Sequence, residues 1–133
     1  MDYRLEVVVV PVSDVDRAKH FYAEQVGFVV DVDHSPNEAF RVVQMTPRGS
    51  GCSVAVGEGL SSATPGSSQG MQLCVADIDA ARAELVERGV EVTPIRHVGD
   101  GEWLDGKGGP WNSFFFSDPD GNGWAVQEKP APD

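Results

Sequence analysis

The chain has 133 residues, 41% of them hydrophobic and 23% charged, enough for one folded domain or two half-domains and too apolar for a disordered chain. Ten Lys and Arg stand against 21 Asp and Glu, and the net charge of −11 disfavours nucleic acid and anionic membrane as partners. The longest apolar run, Val7 to Val12, is far short of the roughly 20 residues that cross a bilayer.

Asp2, Arg4 and Glu6 break up the N-terminal stretch, so no signal peptide is expected there. Val7 to Val10 reads as a first strand, followed by Val12-Ser13-Asp14-Val15-Asp16-Arg17-Ala18-Lys19. Ser13 with Asp16 predicts a capping box at the start of a helix. Val15, Ala18, Tyr22 and Val26 then recur at helical spacing, and Gly27 stands where a left-handed residue would stop the helix. Further short apolar runs follow, with Pro47-Arg48-Gly49-Ser50-Gly51 as a hairpin turn. Glu58 to Gln69, rich in Ser and Gly, reads as a flexible connector.

After the connector the pattern repeats. Met71 to Val75 is a strand, and Val75-Ala76-Asp77-Ile78-Asp79-Ala80-Ala81-Arg82 repeats the helix opening. Ile78, Ala81 and Leu85 carry the helix to Gly89, and Val90-Glu91-Val92 continues as an apolar stretch. Pro119-Asp120-Gly121-Asn122-Gly123 repeats the Pro-Gly turn, 72 residues after Pro47. The helix signal repeats at an offset of 63, so the second copy holds an insertion, placed in Gly99 to Trp111. Each copy is expected to run strand, helix, strand, strand, strand, with modules at 3–57 and 70–128 joined by 58–69. The tail after Lys129, with two prolines, cannot extend a sheet and is expected to be loose.

A tandem βαβββ repeat, with Val-x-Asp-x-x-x-Ala at the helix start and Asp118-Pro119-Asp120-Gly121-Asn122-Gly123 near the end, resembles the vicinal oxygen chelate superfamily. Phe21-Tyr22 and Gly27-Phe28 at the first helix exit strengthen the resemblance. That superfamily includes glyoxalase I, extradiol dioxygenases, fosfomycin-modifying enzymes and bleomycin-binding proteins. The resemblance implies an α+β fold whose modules form a cupped, mostly antiparallel pair of sheets with helices outside, closing around one small-molecule site. It also implies a homodimer.

Metal-dependent members hold one divalent ion through four side chains, commonly His and Glu. Carried over by spacing, the four positions are Val7, Ser53, Gly70 and Ala125. None offers the imidazole nitrogen or carboxylate oxygen that Zn²⁺, Fe²⁺ or Mn²⁺ takes at about 2 Å. His20 is expected on the first helix, His34 beyond the second strand and His97 before the insertion, none in phase with a ligand position. The expectation is a protein with neither metal nor other cofactor.

Strand alternation predicts the lining of the cup. Val7 and Val9 face inward with Ser53 and Ala55; symmetric hairpins would set Val43 opposite Ser53 and Arg41 opposite Ala55. Gln72 and Cys74 face inward in the second module, with Phe115 opposite Ala125 and Ser113 opposite Gln127. Arg41 would anchor a carboxylate or phosphate, or else pair with Glu38 or Asp33. Gln72 and Gln127 would orient a ligand or hydrogen-bond across the module interface. Cys74 is a lining residue or an inert buried thiol. Trp103 and Trp111, in a glycine-rich insertion, would form a flap that stacks on an aromatic or cationic ligand, or a fixed plug.

Two cysteines, Cys52 and Cys74, fit neither a zinc spacing nor a disulfide framework, consistent with a cytoplasmic protein. The function expected is metal-independent binding of a small organic molecule, for sequestration or resistance. The alternative is a lyase or isomerase using Arg41 electrostatically; a metal-dependent glyoxalase or dioxygenase fits the four ligand positions less well.

Overall fold

In a computed structural model, which describes residues 1–109 and 111–129, both halves build a sheet with a helix packed on one face. The tail 130–133, expected to be loose, lies outside the described residues, as does Pro110. The chain divides into two compact units. The first is Met1–Ser68 together with Asp118–Asn122; the second is Gln69–Ser117 with the chain from Gly123 onward.

The first unit contains β1 (Val7–Val9), α1 (Val15–His20), β2 (Val29–Asn37), β3 (Phe40–Thr46) and β4 (Ser53–Glu58), with sheet order β1-β4-β3-β2. β1 runs parallel to β4 and the other pairs are antiparallel. The α1 N-cap is Asp14, whose carboxylate accepts from the Arg17 N–H at 3.0 Å, rather than the expected Ser13. Ser13 is drawn off by Asp120, which accepts from its N–H at 3.1 Å and its hydroxyl at 2.5 Å. Beyond His20 the helix widens into a π-type segment, Phe21–Val26, closed by Gly27 at φ 93° with its N–H on the Tyr22 carbonyl. This places Val15, Ala18, Phe21 and Tyr22 against Val43, Met45, Val54 and Val56, all buried.

The connector is fastened to this unit rather than free. The Gly66 N–H donates to the Pro11 carbonyl at 3.1 Å and the Ser68 N–H to Asn122 Oδ1 at 3.0 Å.

The second unit contains β5 (Met71–Val75), α2 (Ile78–Glu87), β6 (Arg96–Gly99), β7 (Glu102–Asp105), β8 (Ser113–Ser117) and β9 (Gly123–Glu128), in sheet order β5-β9-β8-β6-β7. Asp77 caps α2 through the Ala80 N–H. At the other end Gly89, φ 85°, donates to Val86 O and Val90 to Leu85 O, a Schellman ending. Phe114, Phe116, Trp124 and Val126 fill the core with Ile78 and Leu85, and Phe116 stacks on Trp124 at 6.0 Å.

Two expectations change in this half. Val90 to Val92 forms no strand: Thr93 bonds Phe115 through its own N–H and through Oγ1, both at 3.0 Å, and Pro94 has no N–H with which to continue. The second strand is instead β6. The insertion is not merely a loop, because β6 and β7 pair as a hairpin across a turn in which Asp100 and Gly101 have positive φ.

Candidate functional site

Each sheet has one face covered by its helix and one face without a helix. On the first sheet the helix-free face carries Val7 beside Ser53 and Val9 beside Ala55, the expected set. The neighbouring strand differs. Ala55 pairs with Gln44, Val43 with Val56 and Arg41 with Glu58, so the register lies three residues from a symmetric hairpin. An odd shift turns a strand over. Val43 is therefore buried beneath α1, and Arg41 is on the helix side with it, not in the expected cup lining. Gln44 and Thr46 take their place, with the Thr46 hydroxyl 2.6 Å from Ser53 Oγ and hydrogen-bonded to Asp31.

Arg41 follows the structural alternative. Its fork donates to both carboxylate oxygens of Asp33, from Nε at 3.1 Å and Nη2 at 2.9 Å, and Nη1 donates to Asp16 at 2.9 Å. Lys19 adds a second contact to Asp33 at 2.8 Å. Hydrogen bonds from Arg41 and then Lys19 hold the Asp33 carboxyl well below the usual carboxylate range. The bonds to Asp33 and then Asp16 raise the Arg41 guanidinium above its ordinary value. Asp16 is thus a partner of Arg41.

The Asp118–Asn122 turn is the polar heart of the first unit. Asp118 Oδ2 accepts from the Tyr22 hydroxyl at 2.7 Å and from Asn122 Nδ2 at 2.8 Å; Oδ1 accepts from the Asp120 and Asn122 N–H groups. Asn122 Nδ2 also donates to the Pro11 carbonyl at 2.8 Å. Burial pushes the Asp120 carboxyl up, but its Ser13 hydrogen bonds and Arg17 outweigh this and leave it below the usual range. Near the end of β1, Val9, Val12, Gly57, Leu60, Ala63 and Pro65 help line a cavity of about 240 Å³.

On the second sheet β8 and β9 pair in the expected register. Phe115 lies opposite Ala125, Ser113 opposite Gln127, Gln72 beside Ala125 and Cys74 beside Gln127. Gln72 Nε2 donates to Gln127 Oε1 and lies 3.7 Å from Cys74 Sγ. Cys74 is exposed rather than buried. Trp103, on β7, is half exposed and meets Phe115 edge-on at a centroid distance of 5.2 Å. Trp111 is exposed, and its carbonyl accepts from the Ser113 hydroxyl at 3.2 Å.

Gly106 and Gly108, between the two Trp residues, are tied down. Asn112 Oδ1 accepts from the Gly108 N–H at 2.9 Å, its Nδ2 donates to Glu128, and His97 Nδ1 lies 2.7 Å from the Gly106 carbonyl oxygen.

Sequence reasoning missed Arg96. It pairs with Ser113 on one side and Asp105 on the other, on the helix-free face. The signal was hidden because β6 was expected earlier in the chain.

The transferred metal positions fail on their own chemistry. Val7, Ser53, Gly70 and Ala125 include no imidazole, carboxylate or thiolate. Sheet pairing makes Ala55 the counterpart of Ala125, since Val9 pairs with Ala55 as Gln72 pairs with Ala125, and alanine fits no better. His34 falls inside β2, opposite Val42, rather than beyond the strand. Among the described residues no group of three or more His, Cys, Asp or Glu could hold a metal ion.

A family model described as the Glyoxalase/Bleomycin resistance protein/Dioxygenase superfamily matches residues 4–126. Among solved structures, TnmS3, an antibiotic binding protein from Streptomyces sp. CB03234, is 36% identical. The alignment covers 96% of this chain and 97% of that one, with a TM-score of 0.76. A glyoxalase/bleomycin resistance protein from the same Streptomyces strain is 37% identical over 93% and 99% of the two chains, TM-score 0.73. A superfamily member from Sphaerobacter thermophilus DSM 20745 is 30% identical over 96% and 98%, TM-score 0.77. No curated protein matches the chain significantly.

Proposed function

The chain belongs to the glyoxalase/bleomycin resistance protein/dioxygenase superfamily, and from that premise we propose that it binds a small organic molecule of antibiotic type without a metal ion. The reading rests chiefly on one observation. The helix-free faces carry apolar, aromatic and amide side chains at and around the positions where a metal-dependent relative needs His and Glu. A few placed polar groups on an apolar ground suit recognition of an organic ligand. The antibiotic-binding relative, 36% identical, supports the same reading.

On the first sheet, Val7, Val9, Ser53 and Ala55 are the proposed contacts; Arg41 and Val43, on the helix side, are not. On the second sheet, Phe115, Ala125, Gln72, Gln127 and Cys74 contribute, with Trp103 and Trp111 at the periphery. The function is sequestration. The lyase or isomerase alternative is weakened because its electrostatic residue, Arg41, is engaged by Asp33 and Asp16.

A homodimer belongs to the same proposal, since Val7, Val9 and Trp103 are exposed apolar side chains that a second copy would cover. So does a cytoplasmic location, supported by two free cysteines; no helix among the described residues is long and apolar enough to cross a membrane.

The test is a titration of intrinsic tryptophan fluorescence with a library of antibiotics, followed by recovery of the bound compound. Stoichiometric quenching with the compound recovered intact is expected. Conversion of the compound would replace binding by catalysis, and dependence of binding on an added divalent metal would overturn the metal-free reading.

A further inference from the structure

On the second sheet's helix-free face, one cross-strand row runs through all five strands. Asp105 pairs with Arg96, Arg96 with Ser113, Ser113 with Gln127 and Gln127 with Cys74. Every member of that row is polar or a thiol. On the same face lie the apolar rings of Trp103 and Phe115 and the methyl of Ala125.

Arg96 is the row's one cation, and it is under-used. Its only ion-pair partner among the described residues is Asp105, reached from Nε at 3.4 Å, and the Asp105 side chain is 83% exposed. Exposed pairs of that kind contribute little, because water competes for both charges. Neither Nη of Arg96 has a hydrogen-bond partner among the described residues. The contrast with Arg41 is direct, since all three of Arg41's nitrogens are taken by carboxylates. A planar guanidinium fork with two open nitrogens matches the two oxygens of a carboxylate. Further along the row the Gln127 amide, whose oxygen accepts from Gln72, keeps its Nε2 as a donor, and the neighbouring rings favour a flat apolar body.

We propose that Arg96 is the specificity-determining anchor of this face, selecting a planar aromatic molecule that carries a carboxylate. The proposal rests on the small-molecule reading above and adds to it the ligand's chemical class. The net charge of −11 does not oppose it, because the local row decides what is held in contact, while the global field governs approach and is screened beyond about 8 Å at physiological salt.

The test uses matched acid and amide pairs on the full chain: 2-naphthoate with 2-naphthamide, anthracene-2-carboxylate with its carboxamide, and pyrene-1-carboxylate with its carboxamide. Each is titrated calorimetrically into wild type, Arg96→Gln, Arg96→Lys and the charge-matched control Arg88→Gln, at the C-terminal cap of α2. For at least one pair the wild type is expected to bind the acid about tenfold more tightly than the amide, as a desolvated bidentate pair would require. Arg96→Gln levels the two by weakening the acid alone, Arg96→Lys keeps part of the preference, and Arg88→Gln keeps all of it.

Amides that bind as well as their acids, or an acid preference that survives Arg96→Gln, would overturn this proposal and leave the small-molecule reading standing. Failure of every probe, acid and amide alike, would overturn both. If Arg96→Gln does not melt cooperatively, the decision passes to the wild type. Its acid preference should shrink as NaCl rises from about 0.05 M to about 0.5 M, and a salt-independent preference counts against Arg96.

Discussion

The Tyr22 hydroxyl donates to Asp118 Oδ2 at 2.7 Å, joining the first helical segment to a turn 96 residues further along the chain. Tyr22 is wholly buried, and the same carboxylate is bonded by Asn122, whose own side chain reaches the Pro11 carbonyl. In this protein the Asp-Pro-Asp-Gly-Asn signature is therefore a structural fastening. A hydrogen bond to a buried carboxylate contributes about 1.5–3 kcal/mol. Tyr22→Phe should lower the unfolding free energy by about that amount, read from the urea midpoint, while ligand affinity measured well below the midpoint stays unchanged.

Acid should act on the Asp33 cluster. Its folded-state carboxyl is held low by Arg41 and Lys19, so the unfolded chain takes up that proton first as pH falls. The stabilisation is complete above about pH 4, the ordinary carboxylate value, and is lost as pH drops from there toward the folded value. Urea midpoints measured from about pH 7 down to about pH 3 should show a shallower acid limb in Asp33→Asn than in wild type. An unchanged limb would mean that Asp33 is not coupled to folding.

Two glycines with nearly the same φ separate strain from contact. Gly49, φ 82°, has open space where a Cβ would stand, whereas at Gly66, φ 84°, a Cβ would lie 2.1 Å from the Asp120 carbonyl oxygen. Gly49→Ala should cost about 1 kcal/mol, the backbone penalty alone. Gly66→Ala should exceed about 2 kcal/mol, since the connector or the turn must move. Thermal melts of both variants check the difference.

Removal of divalent ions should leave the protein unaltered. Dialysis against EDTA is expected to change neither the melting temperature nor the affinity for any ligand found, because the metal-ligand positions hold Val, Ser or Ala, Gly and Ala. Trp103→Phe, by contrast, should diminish ligand-induced quenching, since Trp124 is buried in the core and Trp103 stands on the face beside Phe115.

The fold and one of the two faces were legible in the sequence, and the reason lies in the turns. In the second half Ser117 and Gly123 flank a five-residue turn, so pairing is symmetric about Asp120 and the lining follows from alternation. In the first half the corresponding turn spans 47–52, between Thr46 and Ser53. The Ser50 hydroxyl bonds the Cys52 N–H and carbonyl, lengthening that loop. Aligning Pro47 with Pro119 matched residue types and not the hydrogen bonds that close the turns: Ser50 N–H to Pro47 O in one, Gly121 N–H to Asp118 O in the other. That displacement put Arg41 and Val43 on the wrong face. Arg96 was lost for a different reason, because Thr93-Pro94 delays the second strand and composition does not reveal a side chain standing in for the ladder.

The first unit's dependence on Asp118–Asn122 bears on how the protein is made. A nascent chain that has emerged only as far as Ser68 carries Tyr22 without its acceptor and the Pro11 carbonyl without its donor. The N-terminal half can be synthesised early, but it reaches its final stability only after the chain through Asn122 has left the ribosome, and a gene fragment encoding that half alone would yield an incomplete core.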